Sequence, residues 1–325
     1  MTQDNTPLLQ VKDLAVCFIT DEGTTPVLHG LSYTLPKGKI LAVVGESGSG
    51  KTVHALALLR LLPPTAHITK GQILLNGQNI CRLGEKKLRA LRGAKIAMIF
   101  QDPAASLNPV LTIGEQLTET ILAHEKLTQQ QARAKAIELL EKVGIREPEK
   151  RLEEYPFQFS GGMCQRVMIA MALALNPDVL IADEPTTALD VTIQAQILKL
   201  IRSLQQQSQM SSVFITHNLA VVAGIADEVL VLYGGLCMEQ APVEELFARP
   251  LHPYTQGLLK SLVSVTKKEE ILPAIEGQPP LPGQIKQGCP FAPRCAKASD
   301  KCFKICPPLF EKAERRVRCW LEENV

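Results

Sequence analysis

Ile40-Leu41-Ala42-Val43-Val44-Gly45-Glu46-Ser47-Gly48-Ser49-Gly50-Lys51-Thr52 decides the fold class. The first five residues are apolar and read as a buried strand. The next eight match the phosphate-binding loop G-x-x-x-x-G-K-[ST] in full. Thr52 to Leu62 follows with a helical pattern that Pro63-Pro64 stops. In this strand–loop–helix context glycines let successive backbone N–H groups converge on phosphate oxygens, and the helix N-terminus adds partial positive charge. Lys51 would then reach the β- and γ-phosphates, and Thr52 would ligate Mg²⁺. The plain alternative is a Gly-rich turn without a ligand.

Upstream, Leu9 to Phe18 and Val27 to Leu35 are apolar-rich runs separated by Asp21-Glu22-Gly23, and Pro36-Lys37-Gly38-Lys39 turns the chain into Ile40. Downstream, Gln72 to Leu75 reads as a short strand ended by Asn76-Gly77, and Ile96 to Phe100 as a buried one. Thr128 and Gln131 form a capping box ahead of an amphipathic helix through Val143, with Ala132, Ala136, Leu140 and Val143 on one face. Val179 to Ala182, Ser212 to Ile215 and Val229 to Leu232 are strand-like, with helical stretches between them. Strands alternating with helices predict an α/β fold, a mostly parallel sheet covered on both faces. The early hairpin predicts an antiparallel layer at one edge.

Composition narrows the function classes. Thirty-five Lys and Arg against 33 Asp and Glu give a net charge of +2, and only 4% of residues are aromatic. Neither the charge nor the aromatics fit a general nucleic-acid binder. The longest apolar run, Val167 to Leu175, has nine residues, about half of the ~18 that suggest a membrane span. Met1 to Pro7 shows neither a basic nor an apolar signal region. A cytoplasmic chain is expected, with its nine cysteines as thiols or metal ligands rather than disulfides.

Two further motifs carry chemistry. Val179-Leu180-Ile181-Ala182-Asp183-Glu184 is an apolar strand ending in two carboxylates. Asp183 can hold the hydration shell of Mg²⁺, and Glu184 can polarise a water for attack on the γ-phosphate. About 20 residues earlier, Phe159-Ser160-Gly161-Gly162-Met163-Cys164-Gln165-Arg166 opens a helix running to Leu175. Taken together the chain resembles the ATP-binding-cassette (ABC) ATPases, whose signature is Leu-Ser-Gly-Gly-Gln followed by Gln-Arg.

The resemblance implies a P-loop cassette, a mostly parallel sheet with an antiparallel β layer and a helical subdomain. It implies ATP held by Gly45 to Thr52, by Phe18 against adenine, and by Ser160, Gly161 and Gly162 of a facing subunit. Mg²⁺ is expected on Thr52, Gln101 and Asp183. Catalysis is expected from Glu184, from the Q-loop glutamine Gln101 and from the switch histidine His217, with Ala188-Leu189-Asp190 as D-loop. Phe159 and Met163 depart from the signature, whereas the residues that contact phosphate are intact.

Met163, the stretch Gln101-Asp102-Pro103-Ala104-Ala105-Ser106-Leu107-Asn108-Pro109, and Leu251-His252-Pro253-Tyr254-Thr255-Gln256-Gly257-Leu258-Leu259 are similar to the ATPases of oligopeptide, dipeptide and nickel importers. This implies a subunit at the cytoplasmic face of the membrane that powers import of peptides or, alternatively, of nickel or another metal chelate. Its implied partners are a second ABC ATPase in a heterodimer, two permease subunits and a solute-binding protein, with no nucleic acid. A soluble ABC ATPase acting on ribosomes or DNA is the rival. One cassette, no heptad run and a near-neutral charge count against it.

The division expected is a nucleotide-binding domain over 1–258 and an extension over 259–325. The extension is rich in proline and holds Cys289, Cys295, Cys302, Cys306 and Cys319. Four thiolates can hold Zn²⁺ or a [4Fe–4S] cluster, and only Cys302 and Cys306 have the short spacing usual in zinc knuckles. Gly288 to Cys295 resembles the Gly-Cys-x-Phe-x-Pro-Arg-Cys of importer ATPases, and the resemblance implies Cys289, Cys295, Cys302 and Cys319 as cluster ligands. A disulfide pair or unliganded thiols are the bland alternatives.

Overall fold

The computed structural model describes residues 7–21, 23–187, 189–261, 275–284 and 287–323. Glu22 of the first turn and Ala188 of the D-loop lie outside them. Among the described residues the strands are β1 (Leu9–Thr20), β2 (Gly23–Leu35), β3 (Ile40–Val44), β4 (Ala66–Leu75), β5 (Gln78–Asn79), β6 (Ile96–Ile99), β7 (Val179–Asp183), β8 (Ser211–Thr216), β9 (Glu228–Tyr233), β10 (Leu236–Pro242), β11 (Phe310–Lys312) and β12 (Arg315–Val317). By packing, the chain divides into two compact units. One comprises residues 1–35, 39–81 and 214–325, the other 36–38 and 82–213.

The first unit contains an antiparallel sheet ordered β2-β1-β4-β5, the edge layer expected from the early hairpin. β1 alternates buried and open positions until a bulge at Asp13, whose φ is +50°. Gly30 on β2 and Gly71 on β4 flank that bulge. A Cβ on Gly30 would meet the Asp13 carboxylate at 2.5 Å, and one on Gly71 the Asp13 carbonyl oxygen at 2.4 Å. Only glycine lets the neighbouring backbones approach the extra residue.

The second sheet component of this unit pairs β3 parallel with β9. β9, β10, β12 and β11 then continue antiparallel. All five residues of β3 are buried, as a continuous apolar run demands of a strand covered on both faces. The core beneath it joins Val44, Val231 and Tyr233 to Tyr254, Cys289 and Phe291, so the Cys- and Pro-rich tail is part of the packing that supports the phosphate-loop strand. The helix after the loop runs Lys51–Leu58, shorter than the pattern to Leu62 suggests. Arg60 turns left-handed at φ +52°, and Leu61 N–H bonds back to Leu56 O at 2.9 Å, so a C-cap closes the helix before Pro63 is reached.

The second unit pairs β6 with β7 in parallel. Its helices include Ile113–Leu122, Gln129–Lys142, Gly161–Leu173 and Val191–Ser208. Thr128 and Gln131 form the expected capping box, and Thr112 with Glu115 forms a second one. Gln116 is buried and pins the preceding loop. Its Oε1 accepts from Asn108 N–H at 2.9 Å, while its Nε2 donates to Asn108 O and Leu111 O at 3.0 and 3.1 Å. No helix among the described residues is long and apolar enough to cross a membrane.

Candidate functional site

The phosphate loop is built as its spacing requires. Gly48 and Gly50 have φ of +77° and +101°, which glycine adopts freely. A Cβ on Gly45 would lie 2.1 Å from Leu232 O, so that glycine is fixed by close backbone approach. Lys51 Nζ donates to Gly45 O at 2.8 Å and Glu46 O at 2.9 Å. Ser49 Oγ is buried and has no hydrogen-bond partner among the described residues. A buried hydroxyl costs free energy unless something bonds to it. With nothing within 4 Å of the position a Cβ would take on Gly48, the loop fits a phosphate chain. Thr52 is exposed at the head of the helix, and Phe18 is half-buried near the end of β1.

His217 follows β8 and is exposed, next to Asn218, which caps the helix Leu219–Ile225. In the second unit β7 ends at Asp183, which is 2% exposed. Glu184 departs from the strand with φ +46°. A non-glycine residue in that region is strained and persists only where its surroundings hold it. Here two donors hold the carboxylate: Gln101 Nε2 at 3.2 Å and Thr187 Oγ1 at 2.9 Å, both on Oε2. The structure thus brings together Gln101 and Glu184, two of the three expected catalytic residues. Thr187 is a third partner that the sequence did not single out. Thr52, Gln101 and Asp183 all offer oxygen donors, which suits a hard cation such as Mg²⁺.

Ser160 caps the helix Gly161–Leu173, its Oγ accepting from Met163 N–H at 3.4 Å. Ser160 and Gly161 are exposed. A Cβ on Gly162 would meet Ile193 Cγ2 at 2.9 Å, so the second glycine is needed for close packing as well as for any contact with phosphate.

The tail cysteines give a different result from the expected one. Among the described residues no group of three or more His, Cys, Asp or Glu is placed to hold a metal ion. The structure thus gives no support to the iron–sulfur ligand set Cys289, Cys295, Cys302 and Cys319 or to its zinc alternative. Cys289 belongs to the apolar core with Tyr254 and Phe291, and Cys302 Sγ lies 3.5 Å from Ser299 Oγ. Burial pushes the thiols of Cys289 and Cys319 up to about 12 and about 11, and the charges of neighbouring cysteines add to the rise.

The stretch His252-Pro253-Tyr254-Thr255 acquires roles that its sequence did not reveal. His252 caps the helix Pro253–Lys260, Nδ1 accepting from Tyr254 N–H at 3.0 Å. Burial holds this imidazole down to about 3. The fully buried Glu239 of β10 accepts from Leu251 N–H and His252 N–H, both at 2.9 Å, and from Arg315 Nη2 at 3.0 Å. Tyr254 reaches the phosphate loop, where its hydroxyl accepts from Glu46 N–H at 2.9 Å.

Comparison with known proteins agrees with this geometry. The ABC transporter family model matches residues 28–187, and that of the oligopeptide/dipeptide transporter C-terminal region matches 238–302. The oligopeptide transport ATP-binding protein OppD of Bacillus subtilis is 49% identical over 319 residues, covering 97% of this chain and 89% of that protein. The dipeptide transport ATP-binding protein DppD of the same organism is 46% identical, covering 98% of this chain and 95% of the other. Among solved structures, the dimeric ATP-binding cassette MJ0796 in a post-hydrolysis state bound to ADP and Pi superposes with a TM-score of 0.65 at 26% identity. It covers 72% of this chain and 98% of its own. CbiO1 from Clostridium perfringens, part of the ABC transporter complex cbiONQ, gives 0.63 at 27%, covering 75% and 91%. With its phosphate loop, its strand-end carboxylates and its C-terminal region all matched, the chain belongs to the ATP-binding proteins of ABC transporters, in the oligopeptide/dipeptide branch.

Proposed function

We propose that this chain binds and hydrolyses ATP to power the import of di- or oligopeptides. The observation that carries the hydrolytic reading is Glu184. A carboxylate at the end of a buried strand, held in a left-handed conformation by Gln101 and Thr187, is oriented for general-base work rather than left as a solvated turn. The peptide assignment is supported by near-full-length similarity to the oligopeptide and dipeptide transport proteins of Bacillus subtilis, and it displaces the nickel alternative.

In this reading Gly45 to Lys51 bind the phosphates through backbone N–H groups and the Lys51 ammonium. Thr52, Gln101 and Asp183 would hold Mg²⁺, which would supply charge neutralisation for the phosphates. Glu184 takes the proton of the attacking water, with His217 and Gln101 arranging the γ-phosphate and that water. Phe18 packs against adenine. Ser160, Gly161 and Gly162 serve the ATP of a facing subunit, because an exposed helix start with N–H groups can complete a phosphate site across an interface. The chain is a cassette over 1–258 with an extension over 259–325. It works at the cytoplasmic face of the membrane with a second ABC ATPase, two permease subunits and a solute-binding protein. ATP then favours the closed pair of ATPases and hydrolysis releases it, which biases the permease between two states. No cluster chemistry enters this reading.

The test is uptake of a labelled oligopeptide by the reconstituted complex. Uptake should require ATP and be lost in Lys51→Ala. Uptake that persists without hydrolysable ATP would refute the reading. Transport of Ni²⁺ chelates in preference to peptides would replace its substrate.

A further inference from the structure

Arg294 lies in the short 3-10 turn Ala292–Arg294 of the tail, and its side chain is only 6% exposed. Its Nη1 and Nη2 form a fork on the Glu46 carboxylate of the phosphate loop, at 2.5 Å to Oε2 and 3.0 Å to Oε1. Nη1 also donates to Tyr233 Oη at 3.1 Å, Nη2 to Ile275 O at 3.2 Å and Nε to Glu276 O at 2.9 Å. A guanidinium has five N–H donors in a fixed plane, so these five bonds use every one of them. Beneath it Phe291 packs edge-on against Tyr233, with centroids 5.4 Å apart at 89°, and also touches Tyr254 at 5.3 Å.

Glu46 is therefore gripped at three places. Arg294 holds its carboxylate, Tyr254 Oη accepts from its N–H, and Lys51 Nζ donates to its carbonyl oxygen. Two of the three grips come from the chain beyond residue 250. Glu46 is the second residue of a loop whose task is to hold a polyanion, and a carboxylate there repels phosphate unless something cancels it. A surface lysine would cancel it loosely. A buried, fully bonded arginine fork cancels it and fixes it in place.

We propose that Arg294 is a positioning residue for nucleotide. The C-terminal extension uses it to neutralise and anchor Glu46, and so keeps the phosphate loop open to ATP. The inference rests on the reading of Gly45 to Thr52 as the ATP site.

The test is equilibrium ATP binding by the full-length chain, at low and high ionic strength, for Arg294→Ala, Arg294→Lys, Glu46→Gln and Glu46→Gln/Arg294→Ala, with Lys51→Ala as control. Arg294→Ala should weaken ATP by about 10-fold at low salt, from one uncompensated carboxylate near the phosphates. The loss should shrink as salt screens it and should be smaller for ADP than for ATP. Arg294→Lys should recover only part of the affinity, because an ammonium cannot form the fork. Glu46→Gln keeps the loop backbone and an oxygen for Arg294 to bond, removes the carboxylate charge at some cost in stability of the tail, and should bind ATP at least as well as the parent. The double variant should regain most of what Arg294→Ala loses, which a purely structural role of the arginine would not allow. ATP affinity unchanged in Arg294→Ala, or a double variant as weak as Arg294→Ala, overturns the inference provided Lys51→Ala has lost binding. Lys51→Ala binding like the parent would instead refute the ATP-site reading beneath it. If Arg294→Ala unfolds, a Glu46→Gln variant that binds ATP more weakly than the parent is the overturning result.

Discussion

Glu239→Gln should be among the most destabilising single-atom changes in the molecule. Glu239 is fully buried, and its two oxygens receive three hydrogen bonds, two on Oε1 (Leu251 N–H and Arg315 Nη2) and one on Oε2 (His252 N–H). A glutamine keeps one oxygen. Its better orientation places that oxygen where Oε1 was and retains two bonds, now without charge. The amide NH₂ then faces His252 N–H, donor against donor, at a fully buried site. A buried N–H left unsatisfied costs about 1–3 kcal/mol. Arg315, whose side chain is 11% exposed, also loses its buried counter-charge, keeping its hydrogen bond to Arg249 O and, as a charged partner among the described residues, the exposed Glu245 at 3.5 Å. Breaking a buried ion pair from one side costs about 3–5 kcal/mol, and the two penalties overlap, so about 3–5 kcal/mol is expected in total. Urea denaturation of the full chain at pH 7 measures it, and for a unit of this size the melting temperature should fall by roughly 6–20 °C. Hydrogen exchange should quicken first at Leu251, His252 and Tyr254. A loss below about 1 kcal/mol, with those amides still protected, would show that Glu239 does not hold this corner.

Glu184→Gln should lower ATP turnover by about 10²–10⁴-fold, the usual cost of a lost general base. Gln101 and Thr187 both donate to Oε2, so they should hold the amide oxygen there and turn NH₂ toward the other side. Near-parental turnover in the assembled complex removes the residue from that role. His252 gives the protein a sensitivity to acid: the unfolded chain takes a proton near pH 6.5 and the folded chain not until about 3, so stability falls as pH drops below about 6.5. His252→Asn keeps a cap at the helix start, and between pH 7 and pH 5 it should lose about 2 kcal/mol less than the parent in urea titrations. Equal losses would mean that this imidazole is not kept neutral by burial. In metal-free, chelator-treated protein at pH 8, Cys289 and Cys319 should alkylate far more slowly than in denaturant, because burial keeps both thiols protonated. Equal rates by mass spectrometry would contradict that packing.

The site was legible wherever local chemistry forces the pattern. The phosphate-loop pattern needs its glycines and Lys51 at fixed spacing, and the candidate carboxylates need the apolar run before Asp183 to form β7. Strand β3 and the Thr128 cap fall within the expected bounds for the same reason, since each depends on residues adjacent in the chain. Arg294, Tyr254 and Glu239 were not legible as functional partners, because each acts on a residue far away in sequence and a lone Arg, Tyr or Glu carries no periodic signal. The hairpin of β11 and β12 was missed because Glu311, Lys312, Arg315 and Arg316 hide its alternation and the turn rests on Ala313 at φ +53°. The cysteine spacing led to ligands that the described structure does not assemble. Spacing limits which residues can meet, and packing decides where each thiol goes.

The core shared by Val44, Tyr233, Tyr254, Cys289 and Phe291 has a consequence for synthesis of the chain. Residues 82–213 make up the second unit apart from 36–38, which precede them, and its contacts can be made as soon as they emerge. The unit that holds the phosphate loop is split between the first and last parts of the chain, so it must wait for both. Nascent chains that stop before residue 250 carry every residue of the loop and neither Tyr254 nor Arg294. The grips of Tyr254 and Arg294 on Glu46 are thus made only near the end of translation, and a prematurely terminated chain would carry the loop without them.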